Sequence, residues 1–292
     1  MTFPVVAGGL TLVDLLLMLA PVAVVPMGLR LAPLQGKVSN RLLGLARLVQ
    51  PVGAVAALAS FMFPPGWLSG WLAAGWLAAC AVASLAGLAE VIEERSVGPA
   101  HLLPAVALGF LSVGAAWLVA YRGGIDLGYA PVIEELTAVH FHYAGFAATM
   151  MAALTLARVT TTRPRWRVIT VAAGWLVMLG VPVTAAGVAT GSGLLTVIGP
   201  IGLAVGVLTM SGITGFIVVP GLPGPASRWL LGLSAGGVVI PMLLGVDYAM
   251  GRVLPVPSLD LRTMALVHGD LNALVFALLG FAGWLLVKRA EQ

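Results

Sequence analysis

Residues 132–146 read VIEELTAVHFHYAGF, and the chain continues AATMMAALTLA to residue 157. Two glutamates, two histidines and a tyrosine stand at the front of a long apolar run. In a soluble domain such groups need only reach the surface. In a membrane span they are carried into hydrocarbon, where ionisable residues cost about 2.5–3.5 kcal/mol on insertion scales and face the bundle interior. A second, smaller version occurs at 264–277, MALVHGDLNALVFA.

Composition decides between the two settings. The chain has 292 residues, 60% hydrophobic and 9% charged, with a mean hydropathy of +1.05. Soluble domains carry roughly 25% charged residues, so too little polar side chain exists here to cover a water-facing surface. The solvent is largely lipid. A span needs about 20 mostly apolar residues, and nine segments qualify, near 5–29, 44–64, 67–89, 102–121, 133–157, 168–190, 193–219, 229–250 and 263–287. No run of ten-residue alternating segments suggests a β-barrel. The expected fold is therefore all-α, a polytopic transmembrane helical bundle of about nine spans forming one domain over 1–292, multi-pass in the cell membrane of a bacterium. The short gap ATGSG between the sixth and seventh spans also suits a re-entrant turn.

The first 31 residues have no basic residue before Arg30 and too long an apolar stretch for a secretory leader, so they read as the first span. The single cysteine, Cys80, excludes an intrachain disulfide or a cysteine cluster. A net charge of +4 spread over loops offers no nucleic-acid surface. Twelve of the fifteen basic residues fall on one side of the nine spans; only Arg122, Arg252 and Arg262 fall on the other. The positive-inside rule then puts the N-terminus outside and the C-terminus in the cytoplasm.

With that orientation the polar groups gather in the outer half of the membrane. At 1.5 Å per residue, His142 and Asn272 lie roughly 15 Å along their helices, His268 about 9 Å and Asp14 about 13 Å. The fifth and ninth spans contain no proline, which predicts unbroken helices with side chains in fixed register. Glu135 and His142, seven apart, then share a face, as do His268 and Asn272, four apart. Turned inward, Glu135, His142, Tyr143, His268 and Asn272 line one cavity. His140 and Asp270 point away, toward Asp14 or Tyr248 on other helices. Asp14, Glu135, His140, His142, Tyr143, His268, Asp270 and Asn272 are the candidate catalytic residues. On the opposite side, AEVIEERSVGPAH reads as the charged end of the third span, with Glu90 its deepest acid. Gly202/Gly206 and Gly232/Gly236 have small-xxx-small spacing for close helix contact. No internal repeat stands out beyond AAGWL, at 73–77 and again at 172–176.

The pair HFHYAGF and HGDLNALVFALLGF, on two distant spans, resembles the YndJ-like family of integral membrane proteins. The resemblance covers most of the chain and implies that His140, His142, Tyr143, His268 and Asn272 belong to a shared site. It implies no particular activity.

Three chemistries fit such a pocket. The first is an enzyme acting on a lipophilic small molecule. Burial brings carboxyl and imidazole groups toward neutrality, and isomerisation, cyclisation or epoxide opening needs no cofactor. No nucleotide loop, nucleophile elbow or flavin motif occurs. The second is a proton-coupled carrier, because intramembrane acids and histidines relay protons. The third is a metal or haem site built on His142, His268, Glu135 and Asp14.

Overall fold

The computed structural model describes residues 5–7 and 10–292. The expected start of the first span takes in residues 8 and 9, outside the described residues; its helix begins at Leu12, after a short antiparallel ribbon of Val5–Ala7 with Leu10–Thr11. Among the described residues nine helices follow: α1 (Leu12–Leu31), α2 (Lys37–Ser60), α3 (Trp67–Glu94), α4 (Pro99–Gly123), α5 (131–162), α6 (Pro164–Thr190), α7 (Gly193–Gly221), α8 (Pro225–Gly251) and α9 (Leu261–Ala290). All but α5 are long and apolar enough to cross a membrane. In α5 the glutamates and histidines of the opening motif lower the apolar content of an otherwise continuous helix. The chain is an all-α, polytopic membrane protein. The ATGSG gap is a tight turn rather than a re-entrant one: Gly191 takes the left-handed conformation at φ +65°, Ser192 caps α7, and α6 and α7 form a full-length antiparallel pair.

The chain divides into two compact units, Met1–Ala147 and Ala148–Gln292. In the first, α2, α3 and α4 pack as successive antiparallel neighbours, and the front of α5 packs on α4 and α1. Glycines let these helices approach: a Cβ on Gly53 would stand 2.6 Å from Cβ of Ala79, and one on Gly87 2.5 Å from the carbonyl oxygen of Ala105. At one end Glu90 is fully buried. Its carboxylate accepts from the N–H groups of Gln35 and Gly36, the hydroxyl of Ser39 and, at 3.1 Å, Nδ1 of His101. Glu93 accepts from the N–H groups of Val38 and Ser39, both at 2.8 Å. Helix N-termini leave four amide donors unpaired and favour negative charge. The two glutamates at the end of α3 satisfy that need for α2, which explains why acids occur there.

In the second unit α6, α7 and α8 are again successive neighbours and α9 packs on α8. The α6–α7 contact is backbone to backbone. Cβ atoms on Gly180, Gly187, Gly199 and Gly206 would meet main-chain atoms of the facing helix at 2.6–2.8 Å. Gly206 thus performs the expected close contact, while Gly202 has only Cδ2 of Leu176 at 4.0 Å. Gly232 and Gly236 have nothing within 4 Å. That corrects their expected packing role: α8 presents Leu231 and Ser234 to Gly283 and Gly280 of α9 instead.

The expectation of fixed register in the fifth and ninth spans is also corrected. Both carry a wide, π-helical stretch, Phe141–Ala148 and Leu271–Leu278, in each case after ten α-helical residues, Pro131–His140 and Leu261–Asp270. Proline is not the only way to break register, because a π turn bonds i to i+5. A side chain marks each transition. Nδ1 of His142 lies 2.8 Å from the carbonyl oxygen of Ala138, and Nδ2 of Asn272 donates to that of His268 at 2.9 Å. In both, a side-chain N–H serves the carbonyl four residues back. The two units thus traverse matching helix orders, α2 to α5 and α6 to α9, and close on the same local device. The AAGWL copies fall on α3 and α6, which hold different places in that order, so the shared pentapeptide is unrelated to it.

Candidate functional site

The site in the first unit starts from a local motif. Thr11 caps α1: its hydroxyl accepts from the N–H of Asp14, and the carboxylate of Asp14 accepts from the N–H of Thr11, a reciprocal capping box. The Thr11 hydroxyl also lies 2.9 Å from Oδ2 of Asp14 and 3.5 Å from Oε1 of Glu135. Tyr121, near the end of α4, donates its hydroxyl to Oδ1 of Asp14 at 3.1 Å. Two helices, α1 and α5, therefore bring two buried carboxyl groups onto one hydroxyl, with α4 adding Tyr121, and no cation lies within ion-pair distance of either among the described residues. Asp14 has both oxygens bonded. Glu135 has one long contact.

Arg122 is buried beside this cluster. Its Nη2 donates to the carbonyls of Ser60 and Phe63, its guanidinium lies 4.7 Å from the centroid of the Phe61 ring, and its Nε has no acceptor. The arginine closes the turn between α2 and α3. Glu134 is buried as well.

His142 is 1% exposed and fully engaged. A carbonyl only accepts, so Nδ1 carries the proton toward Ala138; an indole N–H only donates, so Nε2 accepts from Trp76 at 3.0 Å. The ring is neutral, with neither nitrogen free. Tyr143 donates its hydroxyl to the carbonyl of Leu16 at 2.8 Å, where it ties α5 to α1. His140 packs edge-on to Phe141. Asp14 is bonded to Thr11 and Tyr121, and the capping box holds it at the end of its own helix.

In the second unit His268 donates from Nδ1 to the carbonyl of Pro241 at 2.6 Å. Gly245 makes room for it: a Cβ there would stand 3.0 Å from Cε1 of His268. Gly114 does the same for His142 in the first unit, at 2.7 Å from Nδ1. Asn272 is bound back to its own helix, and Asp270 is half-buried with Oδ1 lacking a partner. Asp247 accepts from the N–H of Leu259 and orders the α8–α9 loop.

Asp14, Glu135 and Tyr143 thus cluster where α1 meets α5 in the first unit, while His268, Asp270 and Asn272 lie in the second. Among the described residues no group of three or more His, Cys, Asp or Glu side chains is placed to hold a metal ion. Thr11, Tyr121, Arg122 and Trp76 complete the first-unit cluster without having stood out in the sequence. The threonine three residues before Asp14 was the legible signal, since that spacing marks a capping box.

Comparison with known proteins agrees with this architecture. The chain is 26% identical over 195 residues to the protein named uncharacterized membrane protein YndJ of Bacillus subtilis, an alignment covering 66% of this chain and 33% of that one. The chain thus spans about a third of the length of that relative. No solved structure matches it. The family described as YndJ-like protein matches residues 15–276, which takes in Phe141–Ala148, the first six residues of Leu271–Leu278 and every candidate residue except Asp14. This chain belongs to the YndJ-like protein family.

Proposed function

We propose that the protein carries out cofactor-free acid–base chemistry on a lipophilic small molecule, with Glu135 as the group that exchanges the proton. One observation carries the reading: two buried carboxyl groups, Asp14 and Glu135, meet on the Thr11 hydroxyl. Asp14 is held at both oxygens by Thr11 and Tyr121 and acts as a fixed neighbour. Glu135 is the less committed of the two. Its proton is delivered to an epoxide oxygen, alkene carbon or carbonyl oxygen, and the carboxylate recovers a proton from the substrate or from water. Isomerisation, cyclisation or epoxide opening then proceeds with no change of oxidation state. His142 and Tyr143 hold α5 in place through their bonds to Trp76, Ala138 and Leu16. The setting is the plasma membrane of a bacterium.

The test is incubation of the purified protein, in mild detergent, with lipophilic extract from the cell that makes it, followed by chromatography and mass spectrometry. Wild type converts at least one compound to an isomer or a hydrated product; Glu135→Gln, folded by its melting curve, converts none. Equal conversion by both proteins overturns the assignment of Glu135, and no conversion by wild type overturns the enzyme reading.

A second reading, proton-coupled transport, is favoured by the matching helix order of the two units. Several carrier folds are built from parallel repeats with interrupted helices near the substrate. It predicts flux into proteoliposomes that stops when the proton gradient is collapsed.

A further inference from the structure

We propose that the basic end of the second unit is a binding site for the phosphate headgroup of an anionic membrane lipid. The α5–α6 connection reads RPRWR at 163–167, and the α7–α8 turn reads PGLPGPASRW at 220–229. The two lie together: Nη2 of Arg163 is 3.8 Å from the place a Cβ would take on Gly221. Arg228 donates from Nε to the carbonyl of Leu222 at 2.8 Å, which braces its guanidinium at the same turn. Arg163, Arg165, Arg167 and Arg228 are all exposed. The acid at this end, Glu291, is paired with Arg158, and the other acids of the unit, Asp247, Asp260 and Asp270, belong to α8, α9 and the loop joining them at the far end. The charge is therefore uncompensated.

The neighbours of these arginines distinguish a lipid from a soluble anion. Trp229 is 72% exposed directly after Arg228, and Val168 is 78% exposed directly after Arg167. A charged row bordered by an aromatic and aliphatic row matches the order of headgroup and acyl chain at a membrane interface. A site for free phosphate has no use for the apolar row. Arg163 and Arg228, both at the α7–α8 turn, are suited to the paired hydrogen bonds that arginine makes with phosphate oxygens.

The experiment uses the full chain in nanodiscs or detergent and follows lipid retention by native mass spectrometry together with the melting temperature. The added probes are phosphatidylglycerol, phosphatidylcholine and inorganic phosphate. Wild type retains phosphatidylglycerol over phosphatidylcholine and melts higher with it; inorganic phosphate has no effect. Removing an arginine near a membrane surface weakens binding about five-fold, so Arg163→Gln/Arg228→Gln together weaken it about 25-fold. Arg252→Gln/Arg262→Gln, at the other end of the unit, leave it unchanged. Equal retention of both lipids, an equal effect of inorganic phosphate, or unchanged retention by the 163/228 pair overturns the proposal. Because neither arginine belongs to the Asp14–Glu135 cluster, the outcome is independent of the catalytic reading.

Discussion

The indole N–H of Trp76 donates to Nε2 of His142 at 3.0 Å, with the two rings 19° from parallel. Both residues are buried, and the bond joins α3 to α5 just where α5 widens. Trp76→Phe leaves the ring nitrogen without a donor, and a buried unpaired acceptor costs about 1–3 kcal/mol. Unfolding in mild detergent should show a loss of that size. Adding His142→Leu to the Trp76→Phe protein should cost less than His142→Leu alone, because the partners act as a pair.

Glu90 holds the start of α2 through main-chain and side-chain donors together. Glu90→Ala strands those donors at a buried position and should cost on the order of 3 kcal/mol, as removing one partner of a buried charged pair does. Hydrogen exchange gives a local readout: the amides of Gln35 and Gly36 should exchange faster, while those in the middle of α2 keep their protection.

Two glycines four residues apart in α7 should respond differently to the same change. Gly206→Ala drives a methyl group to 2.8 Å from the amide nitrogen of Val177, where only backbone movement can relieve it. Overpacking of that kind costs about 1–3 kcal/mol. Gly202→Ala meets nothing closer than 4.0 Å and should stay within about 0.5 kcal/mol of wild type. Melting temperatures of the two variants, side by side, check both.

Asp260 caps α9 by accepting from the N–H and hydroxyl of Thr263, at 3.0 and 2.7 Å, and these bonds hold its carboxyl below the usual carboxylate range. A depressed native value means the cap stabilises above the unfolded value of about 4 and is lost as pH falls through the native one. The melting temperature should therefore fall below that pH by more in wild type than in Asp260→Asn, which keeps the cap but has no proton to gain.

The membrane setting and eight of the nine helices were legible because they rest on apolar content and length, which tertiary contacts do not alter; α5 shows in the sequence as an apolar run behind a polar motif. The chemistry of the polar groups was harder to place. A helical wheel put Glu135 and His142 on one face by assuming a constant 100° per residue, a spacing that no longer holds from Phe141 onward. His142 looked like a proton carrier from its depth; the structure gives both its nitrogens to Ala138 and Trp76. Trp76 lies 66 positions earlier, beyond any local pattern. Glu135 and Asp14 were picked out by charge in an apolar run, whereas the hydroxyl that joins them is an ordinary threonine whose meaning appears only with the capping spacing. The matching helix orders lie in lengths and hydrogen bonds, with little residue identity to show them in the sequence.

The bond between Glu90 and the segment before α2 sets an order on synthesis. Residues 35 to 39 leave the ribosome about fifty residues ahead of the carboxylates that receive their amides. Until α3 has crossed, water at the membrane edge must serve those donors, so α2 gains its anchored end only when its partner arrives. α2 and α3 should then insert as a hairpin, and a nascent chain stopped short of Glu90 should slip back more readily than one that has passed it.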